Sequence, residues 1–192
     1  MGINDTEILT DEQLIKLIQK DEKKYFKILY KRYKNKVFDK CFNMTQNATI
    51  SEDHAQEIFI KALKALNTYK EDAKFSTWLY AITYNHCIDY LRKNQRIRFQ
   101  EWEEILDIPE EANEGEVIKI MELQKERLTL LLEILKPEDK AIIILKYWEG
   151  MDLERIRYIL SIKTLAALKM KLLRARKRLR ALYYKFHPVI NA

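Results

Sequence analysis

The fold of the N-terminal half is decided by one stretch of sequence, SEDHAQEIFIKA at residues 51–62. Its apolar side chains recur every three or four residues, which is the spacing of one face of an α-helix. They are Ala55, Ile58, Phe59 and Ala62, and the row continues to Leu63 and Leu66. The acidic residues Glu52 and Asp53 near the start suit the positive end of a helix dipole. The stretch therefore predicts an amphipathic helix that begins at Ser51.

Three similar patterns surround this helix in the N-terminal half. One follows the cap residue Thr10, a longer one occupies residues 25–42, and another occupies residues 75–91. Two polar stretches, residues 43–50 and 67–74, predict loops between the helices. Each apolar row is more typical of a protein core than of a ligand site, so the pattern alone predicts a helical bundle.

The composition of the whole chain also favours helices. Only three of its 192 residues are Gly and only three are Pro, whereas average usage is about 7% Gly and about 5% Pro. β-Sandwiches and barrels need many turn residues of these types, and P-loop or dinucleotide-binding enzymes need Gly clusters. With 47% apolar and 33% charged residues, the chain is expected to fold as an all-α protein.

Residues that could carry chemistry are sparse. Cys41 and Cys87 are too few for a disulfide framework or a four-thiolate zinc site. The three histidines, His54, His86 and His187, are too few and too scattered along the chain to suggest a metal cluster. No nucleophile–base set or paired-carboxylate motif supports an enzyme, and no cofactor is expected. Without an apolar run of ~18–20 residues or a signal peptide, the chain is expected to be cytoplasmic and independent of membranes.

Charge is distributed unevenly along the chain, whose net charge is +6. Residues 99–116 carry eight acidic side chains and no basic one, and Pro109 and Gly115 interrupt any helical period there. This stretch predicts an acidic linker, either a solvated spacer, which is the favoured interpretation, or a strand that mimics nucleic acid. The predicted division is a first domain at 1–98, the linker at 99–116, a second domain at 117–187 and a tail at 188–192.

The second domain also consists of helical patterns. Apolar residues at 117–135 predict one long amphipathic helix. Pro137 begins the next helix, and Gly150 ends it as a C-cap. The remaining predicted elements are a short helix at 153–160, capped by Asp152, and a basic final helix at 164–184.

Three segments of the first domain resemble the extracytoplasmic-function (ECF) sigma factors of bacterial RNA polymerase. Residues 51–62 are similar to region 2.2 of that family. Residues 75–93, which begin FSTWLYAITYN, are similar to its regions 2.3 and 2.4, and residues 21–33 resemble its region 2.1. The resemblance implies two helical domains, region 2 and region 4, in a non-catalytic subunit that binds core RNA polymerase and directs initiation at promoters.

The resemblance also implies roles for individual residues. In the family, region 2.2 binds the clamp helices of the polymerase β′ subunit, and the matching polar positions are Asp53, Gln56 and Glu57. These three share one helical face because they stand at i, i+3 and i+4. A flipped base of the promoter minus-ten element would be held by the loop at 67–74 and the helix after it. The residues that match this DNA-binding surface are Asn67, Tyr69, Lys74, Asn85, Arg92, Lys93 and Arg96.

Residues 135–151 and 174–180 resemble the beginning and the end of sigma region 4, which implies a helix-turn-helix between them. The sequence departs from the family there. Arg157 stands where a small residue is usual, Ser161 stands where Gly is usual, and Leu-Ala-Ala at 165–167 replaces the usual start of the recognition helix. The residues expected to contact DNA or the polymerase β flap are Lys163, Thr164, Lys169, Lys171, Arg174, Arg176 and Lys177.

Each departure has a physical consequence. Ser161 would adopt a left-handed conformation at a cost of about 1–2 kcal/mol. Arg157 must either swing outward or separate the two helices, and the side chains at 165–167 offer base edges no hydrogen bonds. Two interpretations stay open. Region 4 reads an unusual element through its basic residues, which is slightly favoured, or promoter choice depends on a DNA-targeting partner, either an activator or an RNA-guided protein.

Two further expectations concern partners and function. Many members of the family are held by an anti-sigma factor, so the resemblance suggests such a partner here without identifying it. The alternative function is a stand-alone helix-turn-helix regulator, which would explain the second domain but leave the region 2 resemblance unused. Strong binding to core RNA polymerase would distinguish the sigma factor from this alternative.

Overall fold

The computed structural model describes residues 9–94, 114–122 and 125–186. Within these ranges the regular secondary structure is entirely helical, which confirms the all-α prediction. The predicted linker and tail lie outside them, except that residues 114–116 begin a helix. The α-helices are α1 (Asp11–Gln19), α2 (Phe26–Thr45), α3 (Ala48–Ala65), α4 (Phe75–Asn94), α5 (Glu114–Met121), α6 (Lys125–Ile134), α7 (Pro137–Ile143), α8 (Leu153–Ile159) and α9 (Leu165–Phe186).

The chain divides into two compact units, Met1–Cys87 and Ile88–Ala192. The division falls inside α4, ahead of residue 98, where the sequence places the end of the first domain. The predicted domain limits at 1–98 and 117–187 therefore stay a prediction.

A capped and anchored α1 opens the first unit. The Thr10 hydroxyl accepts a hydrogen bond from the Gln13 backbone N–H at 3.2 Å, and the Gln13 side chain accepts one from Thr10 at 2.8 Å. Asp11 then joins α1 to α2, because its carboxylate accepts from Arg32 at 2.8 Å and from the Tyr33 hydroxyl. Burial, followed by this contact with Asp11, raises the pKa of the Tyr33 phenol. The predicted cap at Thr10 is confirmed.

The junction between α2 and α3 is shorter than the sequence predicts. Residues 43–45 continue α2, and α3 begins at Ala48 rather than at Ser51, so the predicted loop at 43–50 is wrong. Gln46 takes a left-handed φ of 53°, and the Asn47 side chain caps α3 by accepting from the Ile50 N–H at 3.0 Å. These two residues turn the chain by themselves. The acidic pair at 52–53 therefore lies beyond the first turn of α3, where the helix dipole has little effect.

A single helix predicted at 117–135 is two helices in the structure. Helix α5 ends at Met121, a turn follows at Glu122, and α6 begins at Lys125. Both helices bury apolar residues, among them Val117 and Leu128, and both contact α9. Because the apolar rows on both sides of the break face the same partner helix, periodicity alone cannot reveal the break.

The predicted helix boundaries in the rest of the second unit agree with the structure to within two residues, because α8 ends at Ile159 rather than at 160 and α9 spans Leu165–Phe186 rather than 164–184. Pro137 occupies the first turn of α7, which continues as a π-helical turn at Ile144–Trp148. Gly150 follows with a φ of 62°, and Met151 donates to the Leu145 carbonyl at 3.0 Å, which closes the turn. Asp152 caps α8 by accepting from the Arg155 N–H at 2.8 Å.

The turn between α8 and α9 contains a left-handed residue that is not glycine. Ser161 has a φ of 51° and donates its N–H to the Tyr158 carbonyl at 3.1 Å. Ile162 donates to the Arg157 carbonyl at 2.9 Å, and the pair of bonds forms a Schellman motif. Arg157 swings outward, where its Nε donates to Glu154 at 2.7 Å. The helix-turn-helix therefore accommodates both departures within ordinary backbone geometry.

A partly buried ion pair joins α7 to α9. Arg178 donates from Nη1 to the Asp139 carboxylate at 2.6 Å, and the Asp139 side chain is only 10% exposed. Burial raises the pKa of Asp139, whereas the nearby Arg178 guanidinium opposes that shift. Without Arg178, an ionised carboxylate would lie in the core of the second unit with less compensation.

We expect Arg178→Met to lower the free energy of unfolding at neutral pH by roughly 1–3 kcal/mol, because it leaves Asp139 buried without this partner. The loss should shrink as the pH falls through the raised pKa of Asp139, since a protonated carboxyl carries no charge. Urea unfolding at several pH values measures both effects. Arg174→Met, at an exposed position on α9, is the control and should change stability by less than about 0.5 kcal/mol. A loss independent of pH would contradict the assignment.

Replacement of Ser161 by Gly should stabilise the protein. Glycine adopts φ of 51° without the steric cost that serine carries, and this relief exceeds the extra entropy lost on folding. The expected gain is about 0.5–1 kcal/mol, measured as a shift in the urea midpoint. Ala167→Gly, at an exposed residue in the first turn of α9, should have the opposite sign, with a loss of at most about 0.5–1 kcal/mol. Destabilisation by Ser161→Gly would show that the serine side chain has a structural role.

Candidate nucleic-acid and protein interfaces

Helix α3 presents one exposed stripe on the first unit. Asp53, Gln56 and Glu57, which the sequence predicts on one face, are all exposed. The stripe also contains Ile60, whose surface is 55% exposed. Opposite it, side chains such as Ile58 are buried. The sequence prediction missed Ile60, although its position three residues after Glu57 and four after Gln56 places it on the same face.

Two histidines meet behind this stripe. The Nδ1 atom of His54 on α3 lies 2.9 Å from Nε2 of His86 on α4, and their rings form an edge-to-face pair at 4.6 Å. The Nε2 atom of His86 also lies 3.7 Å from the Glu57 carboxylate. The other ring nitrogen of His86, Nδ1, lies 2.6 Å from Lys61 Nζ. Burial lowers the pKa of His54, which favours a neutral imidazole. The expectation that the histidines are scattered is therefore wrong for two of the three, while His187 lies outside the described residues.

The loop before α4 is held by Tyr69. Its ring is buried against Phe75 and Trp78, and its hydroxyl donates to the Ala73 carbonyl at 2.7 Å. The Gln19 side chain bonds the Tyr69 carbonyl at 3.4 Å. Asn67 lies exposed at the start of the loop. Tyr69 therefore holds the loop in shape from inside the core, whereas Asn67 is exposed to solvent.

One face of α4 continues this surface. Lys74 precedes the helix, and Trp78 and Asn85 follow four and eleven residues later, which places all three on one side. Lys74 and Asn85 are exposed, and eleven helical residues separate them by about 16 Å. Trp78 is half-buried, with its ring centroid 5.6 Å from that of Phe75.

The basic residues predicted at the end of α4 are also exposed. Arg92 and Lys93 occupy its last turn, and Arg92 pairs with Asp89 at 3.3 Å. The third predicted residue, Arg96, lies outside the described residues.

In the second unit, α9 carries the residues predicted to contact DNA or the polymerase flap. Thr164 caps the helix, because its hydroxyl accepts from the Ala167 N–H at 3.1 Å. The side chains at the start of the exposed face are Ala166, Ala167 and Met170, the last 50% exposed. The predicted basic residues lie around them: Lys163, Lys169, Lys171 and Arg174 are exposed, and Arg176 and Lys177 are half-buried. This exposed face of α9 therefore has an apolar centre with a basic surround, and the sequence prediction did not include Met170.

The described helices include none long and apolar enough to cross a bilayer.

Known proteins resemble this chain over most of its length. A family model described as Sigma-70 region 2 matches residues 29–97. The ECF RNA polymerase sigma factor SigW of Bacillus subtilis (strain 168) is 32% identical over 183 residues, which cover 86% of this chain and 92% of that protein. The ECF RNA polymerase sigma-E factor of Escherichia coli (strain K12) is 28% identical over 195 residues, which cover 97% of this chain and 99% of that protein.

The fold agrees with these sequence matches. A solved structure of CnrH in complex with the cytosolic domain of CnrY has a TM-score of 0.60 to this chain at 22% identity. That match covers 90% of this chain and 96% of CnrH. Together with a relative as similar as SigW over most of both chains, the family match shows that the chain belongs to the ECF sigma factors, which act in transcription initiation by RNA polymerase.

Proposed function

We propose that this sigma factor binds the clamp helices of core RNA polymerase through the exposed stripe of α3 and opens promoters with the adjoining surface of α4. The stripe itself carries the proposal. Asp53, Gln56 and Glu57 stand in solvent on a rigid helix, in a chain whose relatives are named as sigma factors of RNA polymerase. Sigma factors are specificity subunits and not enzymes, which agrees with the lack of an enzyme motif in this sequence.

The chemistry of the stripe suits a basic helical partner. The carboxylates of Asp53 and Glu57 attract Arg and Lys side chains and thereby guide encounter and register. Ile60, apolar and 55% exposed, supplies a side chain that a partner can desolvate. Apolar side chains at the centre of an interface, surrounded by polar ones, typically contribute much of the binding free energy. We therefore add Ile60 to the polymerase-binding residues.

The surface proposed for promoter opening runs from the loop at 67–74 along α4. Asn85 offers both a donor and an acceptor, so it can bind the edge of a base that has left the stack. Asn67 and Lys74 are exposed at the loop, whereas the buried Tyr69 acts by holding the loop in shape. Arg92 and Lys93 are placed to bind phosphates, a contact that weakens as salt concentration rises.

Region 4 is proposed to bind DNA mainly through phosphate contacts, with sequence reading confined to residues beside the apolar start of α9. The side chains of Ala166, Ala167 and Met170 offer base edges only apolar contact, for example with the thymine methyl group. The basic residues around them bind phosphate without regard to sequence. Two outcomes remain in competition: an unusual element read through residues such as Lys163 and Lys171, or a DNA-targeting partner that presents the promoter.

A regulatory partner is the second protein contact that we propose. CnrH was solved in complex with the cytosolic domain of CnrY, and its fold is shared by this chain. An anti-sigma factor for this chain would cover surfaces that polymerase also needs, and the α3 stripe is such a surface.

The first test measures affinity for core RNA polymerase. Asp53→Ala, Gln56→Ala and Ile60→Ala should each weaken binding by about 5- to 30-fold, which corresponds to about 1–2 kcal/mol. Fluorescence anisotropy of the labelled chain titrated with core enzyme provides the measurement. Asp39→Ala, which removes an exposed carboxylate on α2, is the matched control and should leave affinity unchanged. Equal affinity for all variants would remove the stripe from the interface, and no binding by the wild type would favour the stand-alone regulator.

The second test is transcription in vitro from fragmented genomic DNA, with start sites sequenced. We expect discrete starts that share two upstream elements, which the favoured interpretation of region 4 requires. Asn85→Ala should reduce these starts by about tenfold or more while core affinity is retained, because each good base contact contributes about 1–3 kcal/mol. Tight core binding without specific starts would instead indicate that a DNA-targeting partner selects the promoters.

A further inference from the structure

The histidine pair behind the α3 stripe has the composition and spacing of a metal site. His54 and Glu57 stand three residues apart on α3, and His86 faces them from α4. One ligand atom from each of the three lies within 4.8 Å of the other two. Two of these separations are 2.9 Å, between the imidazole nitrogens, and 3.7 Å, from His86 Nε2 to the Glu57 carboxylate.

These distances fit a tetrahedral ion. Around Zn²⁺, with bonds of about 2.0–2.1 Å, two ligand atoms stand about 3.3 Å apart. The imidazole nitrogens need to separate by a few tenths of an ångström, and the exposed Glu57 side chain can approach by rotation. Two imidazoles and one carboxylate form a ligand set that zinc uses in proteins with water in the fourth position.

We propose that His54, Glu57 and His86 bind a divalent transition metal ion of the Zn²⁺ type, which would join α3 to α4 inside the first unit. Imidazole nitrogen selects ions such as Zn²⁺, Co²⁺ and Cu²⁺ over Mg²⁺ and Ca²⁺, which prefer all-oxygen sites. The ion binds His54 through Nδ1 and His86 through Nε2, because these atoms face each other.

Lys61 controls access to this site. Its ammonium can only donate, so the 2.6 Å contact makes His86 Nδ1 an acceptor and leaves the proton on Nε2, which then donates to His54. A metal on Nε2 displaces that proton and requires Nδ1 to become the donor. Lys61 must then withdraw into solvent, which is possible because it is exposed. The ammonium therefore opposes the metal both by hydrogen bonding and by charge.

This competition provides a variant that should gain affinity. In Lys61→Gln the amide oxygen can accept from His86 Nδ1–H and so support the metal-bound tautomer, as outer-sphere partners of ligating histidines do. We expect Zn²⁺ to bind about tenfold more tightly, in line with the usual size of such effects. Lys64→Gln, one turn further along α3 and also exposed, removes the same charge without reaching His86 and serves as the control.

The direct test is calorimetric titration of the full chain with Zn²⁺, together with the visible absorption of its Co²⁺ form. We expect one ion per chain, a melting temperature that rises with Zn²⁺ concentration, and a tetrahedral Co²⁺ spectrum without thiolate charge transfer from Cys41 or Cys87. Glu57→Gln, an exposed substitution that does not threaten folding, should weaken binding by at least about tenfold. His187→Gln should have no effect.

The proposal is overturned if the wild type binds no Zn²⁺, or if binding is the same in Glu57→Gln, Lys61→Gln and the wild type. Thiolate absorption in the Co²⁺ form would also overturn it, since the ion would then occupy a cysteine site. These measurements use the chain alone, so they stand apart from polymerase binding.

One consequence rests on the proposed function. Glu57 belongs to the α3 stripe, so an ion that binds its carboxylate removes a charge that the clamp helices would meet. Zn²⁺ should therefore lower affinity for core polymerase, and core polymerase should lower affinity for Zn²⁺ by the same factor. At limiting Zn²⁺, the loss of affinity for core polymerase should be greater for Lys61→Gln than for Lys64→Gln. In EDTA, which removes the metal, the two variants should bind core polymerase equally. Equal losses would overturn this coupling, and metal binding without any core binding would count against the proposed function instead.

Discussion

The rest of the first unit depends on the packing of α3, which buries one face of the helix and leaves the opposite face in solvent. One face of this helix is buried among α2 and its neighbours through His54, Ile58 and Ala62. Burial of that face fixes the rotation of the helix, so the opposite face must stand in solvent with its carboxylates and Ile60. A stripe that the core already holds in position loses little conformational entropy on binding, which favours affinity for a partner. The core therefore determines which side chains of α3 are available to the polymerase contact that we propose.

Left-handed turns impose a second constraint, because the chain has few glycines to make them. Asp21, Gln46, Glu71 and Ser161 all have positive φ, and Gly150 is the glycine that does so among the described residues. Each such position costs about 1–2 kcal/mol relative to glycine. At Ser161 the two backbone hydrogen bonds of the Schellman motif close the turn between α8 and α9, and because glycine would make the same bonds, the steric cost of serine is not recovered there. The turn between α8 and α9 therefore has ordinary backbone hydrogen bonding with serine at this position.

The sequence predicts those parts of the fold that local chemistry controls. Thr10, Pro137 and Asp152 mark helix starts correctly because a cap or a fixed φ acts within one turn. The α2–α3 junction is missed because Gln46 gives no turn signal in the sequence. The polar residues around it resemble a longer loop. The meeting of His54 and His86 is missed for a different reason: they are 32 residues apart in the chain, and only helix packing brings them together. Of the candidate site, the direction of the α3 stripe is predictable, whereas the cluster behind it is not.

In the proposed region 4, the free energy of DNA binding is divided between contacts to base edges and contacts to phosphates. A recognition helix that starts with Leu165, Ala166 and Ala167 lacks the donors and acceptors that distinguish one base pair from another. In the proposed function the basic residues of α9 bind phosphate, and this contribution acts equally on every DNA sequence. Affinity that is shared by all sequences cannot select a promoter. Under the proposed function, selection would come from base contacts of α4, from contacts at the margins of α9, or from a second protein. The basic surround of α9 would serve any of the three by holding DNA once the promoter has been found.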